Sequence, residues 1–241
     1  MTKFLRLKLN NRLISAHGLA YLSPSENIRP SMGSSSAEKI DKSRYLLEVA
    51  ERLFALHGYE AVSIRQLAAE AGMNVAMVSY YFGSKDKLFE ALIADKFPRT
   101  GERLEELARS SLSPWEKLSQ TVDLYVEKCF SGRDFHRIVM REISLSQRPA
   151  HVKIITTYLS HHLQLIRGFV IEGQEKKMFR PVDVEFTLAT LFGSFSALVS
   201  HGSLLCAMLH EDCAENIYSE EIQARFKHHL KSLLQAHLVI G

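Results

Sequence analysis

The chain has 241 residues, a formal net charge of +3, 46% hydrophobic residues and 24% charged residues. That length can bury one large or two small cores, and so mild a charge does not by itself identify a nucleic-acid partner. No apolar run reaches the roughly 18 residues a membrane span needs, and three cysteines, an odd number, make no disulfide framework, which favours a reducing cytoplasm.

With 6 prolines and 12 glycines among long stretches of helix formers, an all-α fold is expected. Residues 1–37 differ from the rest, starting basic and ending in Ser, Pro and Gly. His17 and Gly18 interrupt the apolar part, which argues against a signal peptide. The expectation is a disordered tail, or an upstream start with Met32 as the alternative. Lys3, Arg6, Lys8 and Arg12 could touch phosphates there, or simply be solvated.

Helical periodicity begins at Ile40, where Leu46, Val49, Ala50, Leu53 and Phe54 form an apolar stripe that ends at His57-Gly58. Ser63 and Gln66 read as a capping box, with Val62 and Leu67 as a hydrophobic staple. Ile64, Leu67, Ala68 and Ala71 then share one face. Gly72 ends that short helix, and Asn74 caps a second one carrying Val75 to Tyr81. Ser84 and Asp86 open a helix through Phe97. Pro98 and Gly101 should bend or break it before it resumes through Arg109.

Ser113-Pro114-Trp115-Glu116 is a second capping box, with proline at the first helical position. Further helices are expected to about Phe130, over about 134–146, 150–177 and 184–209, and from Ser219 to about Leu238. No alternating strand pattern and no internal repeat appears.

Two helices of about two turns joined by a glycine turn are a helix-turn-helix signature, whose second helix enters the major groove. Its outward positions are Asn74, Val75, Ala76, Met77, Ser79, Tyr80 and Tyr81, while Val78 and Phe82 point back to the core. Val75, Ala76 and Met77 suit thymine methyl groups, and the two tyrosines suit phosphates or base edges. Lys85, Ser63 and Arg65 open neighbouring helices where a phosphate can sit. Either tyrosine could be core, but not both, because adjacent helical positions are about 100° apart and Phe82 already takes the inward direction.

At these residues the sequence resembles the N-terminal domain of TetR/AcrR-type transcriptional regulators. The likeness is carried by "LFALHGYEAVSI" and "RQLAAEAGMNVAMVSYYFGSKDKLFEAL", within about 40–95. It implies a three-helix DNA-binding head whose fourth helix runs into a helical domain that binds an effector and dimerises. Val75 and Ser79 depart from the family pattern, which usually has a basic or polar residue and an aromatic there. The expected organisation is therefore a tail (1–37), a helix-turn-helix head (38–86) and a helical effector-binding and dimerisation domain (87–241). The function expected is a cytoplasmic, non-enzymatic, ligand-responsive regulator, a repressor released from double-stranded operator DNA by a small-molecule effector. A DNA-binding factor without an effector is the alternative.

The stretch 187–209 is apolar nearly all round and rich in small residues, so with the last helix it is expected to form a homodimer interface. Trp115, Phe130, His136, Tyr158, His162, Phe169, Phe192 and Phe195 are candidates either for an effector pocket or for plain core. Cys206, His210 and Cys213 fall at helical spacing on one face and would suit a metal or redox sensor, but a fourth ligand is missing. No metal, no cofactor and no catalytic residue is expected, and no metalloprotease, phosphate-loop or nucleophile-elbow motif occurs.

Overall fold

A computed structural model describes residues 36–210 and 216–240, so the tail calls on Lys3, Arg6, Lys8 and Arg12 lie outside the described residues. The helices are α1 (Ser36–His57), α2 (Ile64–Glu70), α3 (Val75–Phe82), α4 (Lys85–Arg109), α5 (Pro114–Ser131), α6 (Arg133–Leu145), α7 (Pro149–Glu175), α8 (Val184–Ser200), α9 (Gly202–Leu209) and α10 (Glu220–Leu238). The fold is all-α. Among the described residues the only β pairing is an isolated bridge between Phe179 and Val239, which ties the end of α10 to the α7–α8 connection.

Local chemistry sets most boundaries. Both capping boxes form, at Ser63/Gln66 and at Ser113/Glu116. α2 closes in a Schellman arrangement, with the Met73 amide on the Ala68 carbonyl at 2.8 Å and the Gly72 amide on that of Ala69 at 3.1 Å. Gly72 takes φ +63° there, a conformation that suits glycine.

Two expectations need correction. Pro98 does not break α4, which runs unbroken from Lys85 to Arg109. The proline sits in the interior with no N–H of its own, so the Ala94 carbonyl lacks its usual helical donor. Conversely, 184–209 is not one helix. His201 leaves helical geometry (φ −124°, ψ 40°), and α8 and α9 meet at 94°. The turn carries Cys206 of α9 into a buried position, while Gly202 lies close to the fully buried Ile217. Among the described residues no single helix is long and apolar enough to cross a membrane.

The apolar core has two parts. One joins α1–α4 to Phe135, Ile138 and Val139 of α6 and Ile155 of α7. The other joins the second half of α4 to α5, α7, α8 and α10. A division at residue 86 therefore runs through continuous packing, because Leu88, Phe89, Leu92 and Ile93 complete the core begun by α1. α4 packs most extensively on α7. Gly101 allows this approach, since a Cβ there would lie 3.1 Å from the His162 Nε2.

Candidate nucleic-acid interface and internal cavity

α3 is braced from behind. Val78 is 1% exposed, and Phe82 packs against the core. The Asn74 side chain accepts from the Met77 amide at 2.8 Å, which fixes the start of the helix. On the other side Asn74, Val75, Ala76, Ser79 and Tyr80 are exposed, and Met77 and Tyr81 are half-buried. The Tyr80 ring is 58% exposed and meets Tyr81 edge-on, with centroids 5.5 Å apart. Ser63 and Arg65 are also exposed, at the start of α2.

Sequence reasoning missed Lys39. Its ammonium donates to the Tyr80 hydroxyl at 3.0 Å and lies 4.7 Å from the ring centroid, so a cation from α1 joins the α3 surface. The only sequence signal was its position among the first basic residues of α1.

Lys85, expected to meet a phosphate, also has partners within the fold. Its ammonium donates to the Tyr59 and Val62 carbonyls, both at 2.8 Å, and sits 4.1 Å from the Tyr59 ring centroid. Burial lowers its pKa, partly offset by Glu60. The lysine ties the α1–α2 loop to the start of α4.

Next to it is a polar cluster that links the head to α6 and α7. His151 is 2% exposed; its Nδ1 lies 2.9 Å from the Glu142 Oε2 and its Nε2 lies 3.3 Å from the Asp86 Oδ1. A neutral imidazole can donate to only one of these carboxylates, an imidazolium to both. The ring stacks on Phe89, with centroids 3.9 Å apart. Arg148 donates to both Glu142 oxygens at 3.2 Å and to Glu60, and Tyr59 donates to Asp86. Burial pushes the Glu142 carboxyl up, but His151 and Arg148 more than offset it and hold it below the ordinary range. The Tyr59 hydroxyl holds Asp86 below its ordinary value as well.

Among α4–α8 lies a cavity of about 170 Å³. Of the sequence candidates, His136, His162, Phe192 and Phe195 line it. Trp115, Phe130, Tyr158 and Phe169 do not. Phe169 is 3% exposed in the second core, and Trp115 packs against that core. Phe130 meets Tyr218 edge-on, and Tyr158 stacks on Phe97. Residues missed from sequence include Phe97, Tyr125, Cys129 and Phe135 on the walls and Lys96, Arg99 and Lys128 among the charged lining residues. Tyr125 and Cys129 are one turn apart on α5, which could have marked a shared face.

Three buried groups set the cavity's inner chemistry. The Tyr125 hydroxyl lies 3.1 Å from the His162 Nδ1. The imidazole also meets the Phe97 ring, with centroids 5.7 Å apart, and burial, followed by the neighbouring His161, pushes its pKa down to about 4. Burial pushes the Cys129 thiol up to about 12, so it is no thiolate near neutrality.

A second, open groove of about 260 Å³ lies between α8 and α10, lined by Phe186, Thr190, Leu191, Leu233 and Leu234 among others. Phe186 is 75% exposed and Leu233 42%. The cysteine–histidine face expected near 206–213 does not extend as a helix, because α9 ends at Leu209 and His210 adopts a left-handed conformation. Cys213 lies outside the described residues.

The profile of bacterial regulatory proteins, tetR family, matches residues 46–92, which span the second half of α1, α2, α3 and the start of α4. The chain is 33% identical over 160 residues to the HTH-type transcriptional repressor AcnR of Corynebacterium diphtheriae, a match covering 56% of this chain and 83% of AcnR. It is 29% identical over 143 residues to the probable HTH-type transcriptional regulator YttP of Bacillus subtilis, covering 58% of this chain and 69% of YttP. The fold is similar to that of FadR from Bacillus subtilis in complex with stearoyl-CoA. There the TM-score is 0.62 at 19% identity, and the match covers 79% of this chain and 96% of FadR.

Proposed function

Because the chain belongs to the tetR family of bacterial regulatory proteins, and is a DNA-binding transcriptional regulator of that family, we propose that it represses from an operator read by α3 and is released when a small molecule fills the α4–α8 cavity. The observation that carries this reading is the two-sided character of α3. Val78 is sealed at 1% exposure while Tyr80, two positions on, is 58% exposed with a lysine beside it. A helix braced in this way can lay its outer face in a major groove.

TetR-type regulators act as dimers on operator DNA. Two copies must hold their α3 helices about 34–36 Å apart to reach successive major grooves. The groove between α8 and α10 offers an apolar face for that pairing. A ligand shifts the operator equilibrium only by its differential affinity for the two spacings. The His162 ring, against Phe97 and Gly101 of α4, links the cavity to the helix that leaves the head. FadR, with its stearoyl-CoA, is an example of this fold holding a ligand.

The test is a gel-shift titration on the DNA upstream of the protein's own coding region. Wild type should shift it, and Tyr80→Ala should lose about 1–3 kcal/mol of binding, roughly fivefold or more, with an unchanged melting temperature. Equal shifts by both proteins would refute the assignment of α3.

A further inference from the structure

We propose that the α4–α8 cavity selects a single-ring acid that carries a hydrogen-bond donor at its buried end and an anionic group at its mouth, of the hydroxybenzoate type. The inference rests on reading that cavity as the effector site.

Size comes first. The cavity is about 170 Å³, close to the ~150 Å³ engineered apolar cavity that accepts benzene. It holds one ring with small substituents and not a long acyl chain. Its walls match that content. Phe97, Phe135, Phe192 and Phe195 line it, and Tyr125 stacks on Phe195 and meets Phe192 edge-on, both at 5.4 Å between centroids. Aromatic walls of mixed face and edge orientation favour a ring over a flexible chain.

Polarity at the inner end follows from a chain of hydrogen bonds. The His162 Nε2 faces α4 at Gly101, and we assign its N–H there, which leaves Nδ1 as an acceptor. The Tyr125 O–H is therefore spent on the Nδ1, 3.1 Å away. What the tyrosine can still offer a ligand is an oxygen lone pair. A hydroxyl or N–H on the ligand satisfies it, whereas a buried carboxylate would face an acceptor and be repelled.

Charge at the mouth has the opposite requirement. Three cations, Lys96, Arg99 and Lys128, line the cavity with one carboxylate, Glu51. Glu51 pairs with Lys96 at 2.7 Å, and Arg99 reaches Asp95 at 3.8 Å. Among the described residues the Lys128 ammonium has no hydrogen-bond or ion-pair partner. An anionic substituent would complete it.

The test uses full-length protein and calorimetric titration with four probes: 4-hydroxybenzoate, benzoate, phenol and palmitate. 4-Hydroxybenzoate should bind best, with benzoate and phenol each weaker by about tenfold for the lost partner. Tyr125→Phe should erase the preference over benzoate, and Lys128→Met the preference over phenol. Phe192→Trp, which narrows the cavity, should lower the affinity for all three ring compounds. Palmitate binding in preference to the rings, or no ring compound binding at millimolar concentration, would overturn the inference. The two readings fail separately. Palmitate that binds and releases DNA leaves the ligand-responsive regulator standing and ends the single-ring class. 4-Hydroxybenzoate that binds as described without altering the gel shift does the reverse.

Discussion

Lys85 shows what residue type alone leaves out. A lysine in the first turn of a helix beside a recognition element reads as a phosphate ligand, yet here it serves two backbone carbonyls. Lys85→Met should therefore act on the fold first. It leaves two carbonyls without their donor, at about 1–3 kcal/mol, visible as a lowered urea midpoint in the absence of DNA. Arg65→Ala, at an exposed position, should leave that midpoint unchanged and lower the salt slope of operator binding by about one. The acid side of the pH profile divides between two other residues. His162 titrates lower in the folded chain, at about 4, than its ordinary 6.5. The unfolded chain thus takes up the proton first, and roughly 3 kcal/mol is lost as pH falls between those values. Glu142 is also depressed, from 4.5, so its contribution holds above that value and disappears as pH falls further. In urea titrations His162→Gln should flatten the upper slope. Glu142→Gln should flatten the lower one and cost about 3 kcal/mol near neutrality, because it breaks a buried ion pair.

Caps and glycine turns made the helices readable. Ser63, Asn74, Ser84, Ser113 and Ser219 each accept a backbone amide at the start of the helix expected of them. These signals are local, so one sequence suffices to find them. The run after Thr187 was less readable. Its apolar periodicity continues through His201-Gly202, and only the buried Ile217 from a later segment reveals why the chain turns there. The cavity was half visible for the same reason. Aromatic residues are conspicuous, but which of them border a void depends on the approach of α4 to α7, set by Gly101. Gly173 makes a tighter contact of the same kind, since a Cβ there would fall 2.0 Å from the Phe179 Cδ2. Gly173→Ala should push the α7–α8 connection away from α7 and destabilise the chain by about 1–3 kcal/mol. A thermal melt of the variant checks this, and a melting temperature equal to wild type would show that the Phe179 ring gives way freely.

The groove between α8 and α10 carries the proposed pairing of two copies. Phe186 and Leu233 are solvent-facing in the single chain, so replacing them should not disturb folding. Phe186→Asp should yield a folded monomer by light scattering and lose most operator affinity, because a lone α3 reaches one half-site only. A dimer of unchanged mass would place the interface elsewhere. The head expected over 38–86 shares its core with residues beyond that border. Phe135, Ile138, Val139 and Ile155 from beyond that border pack with Phe54, Leu67 and Phe89. This has a practical side for anyone building chimeric biosensors. A transplant of the reader module alone would expose the underside of α1 and α4 to a foreign scaffold, whereas a cut that also carries α6 and the first turns of α7 would move an intact folding unit.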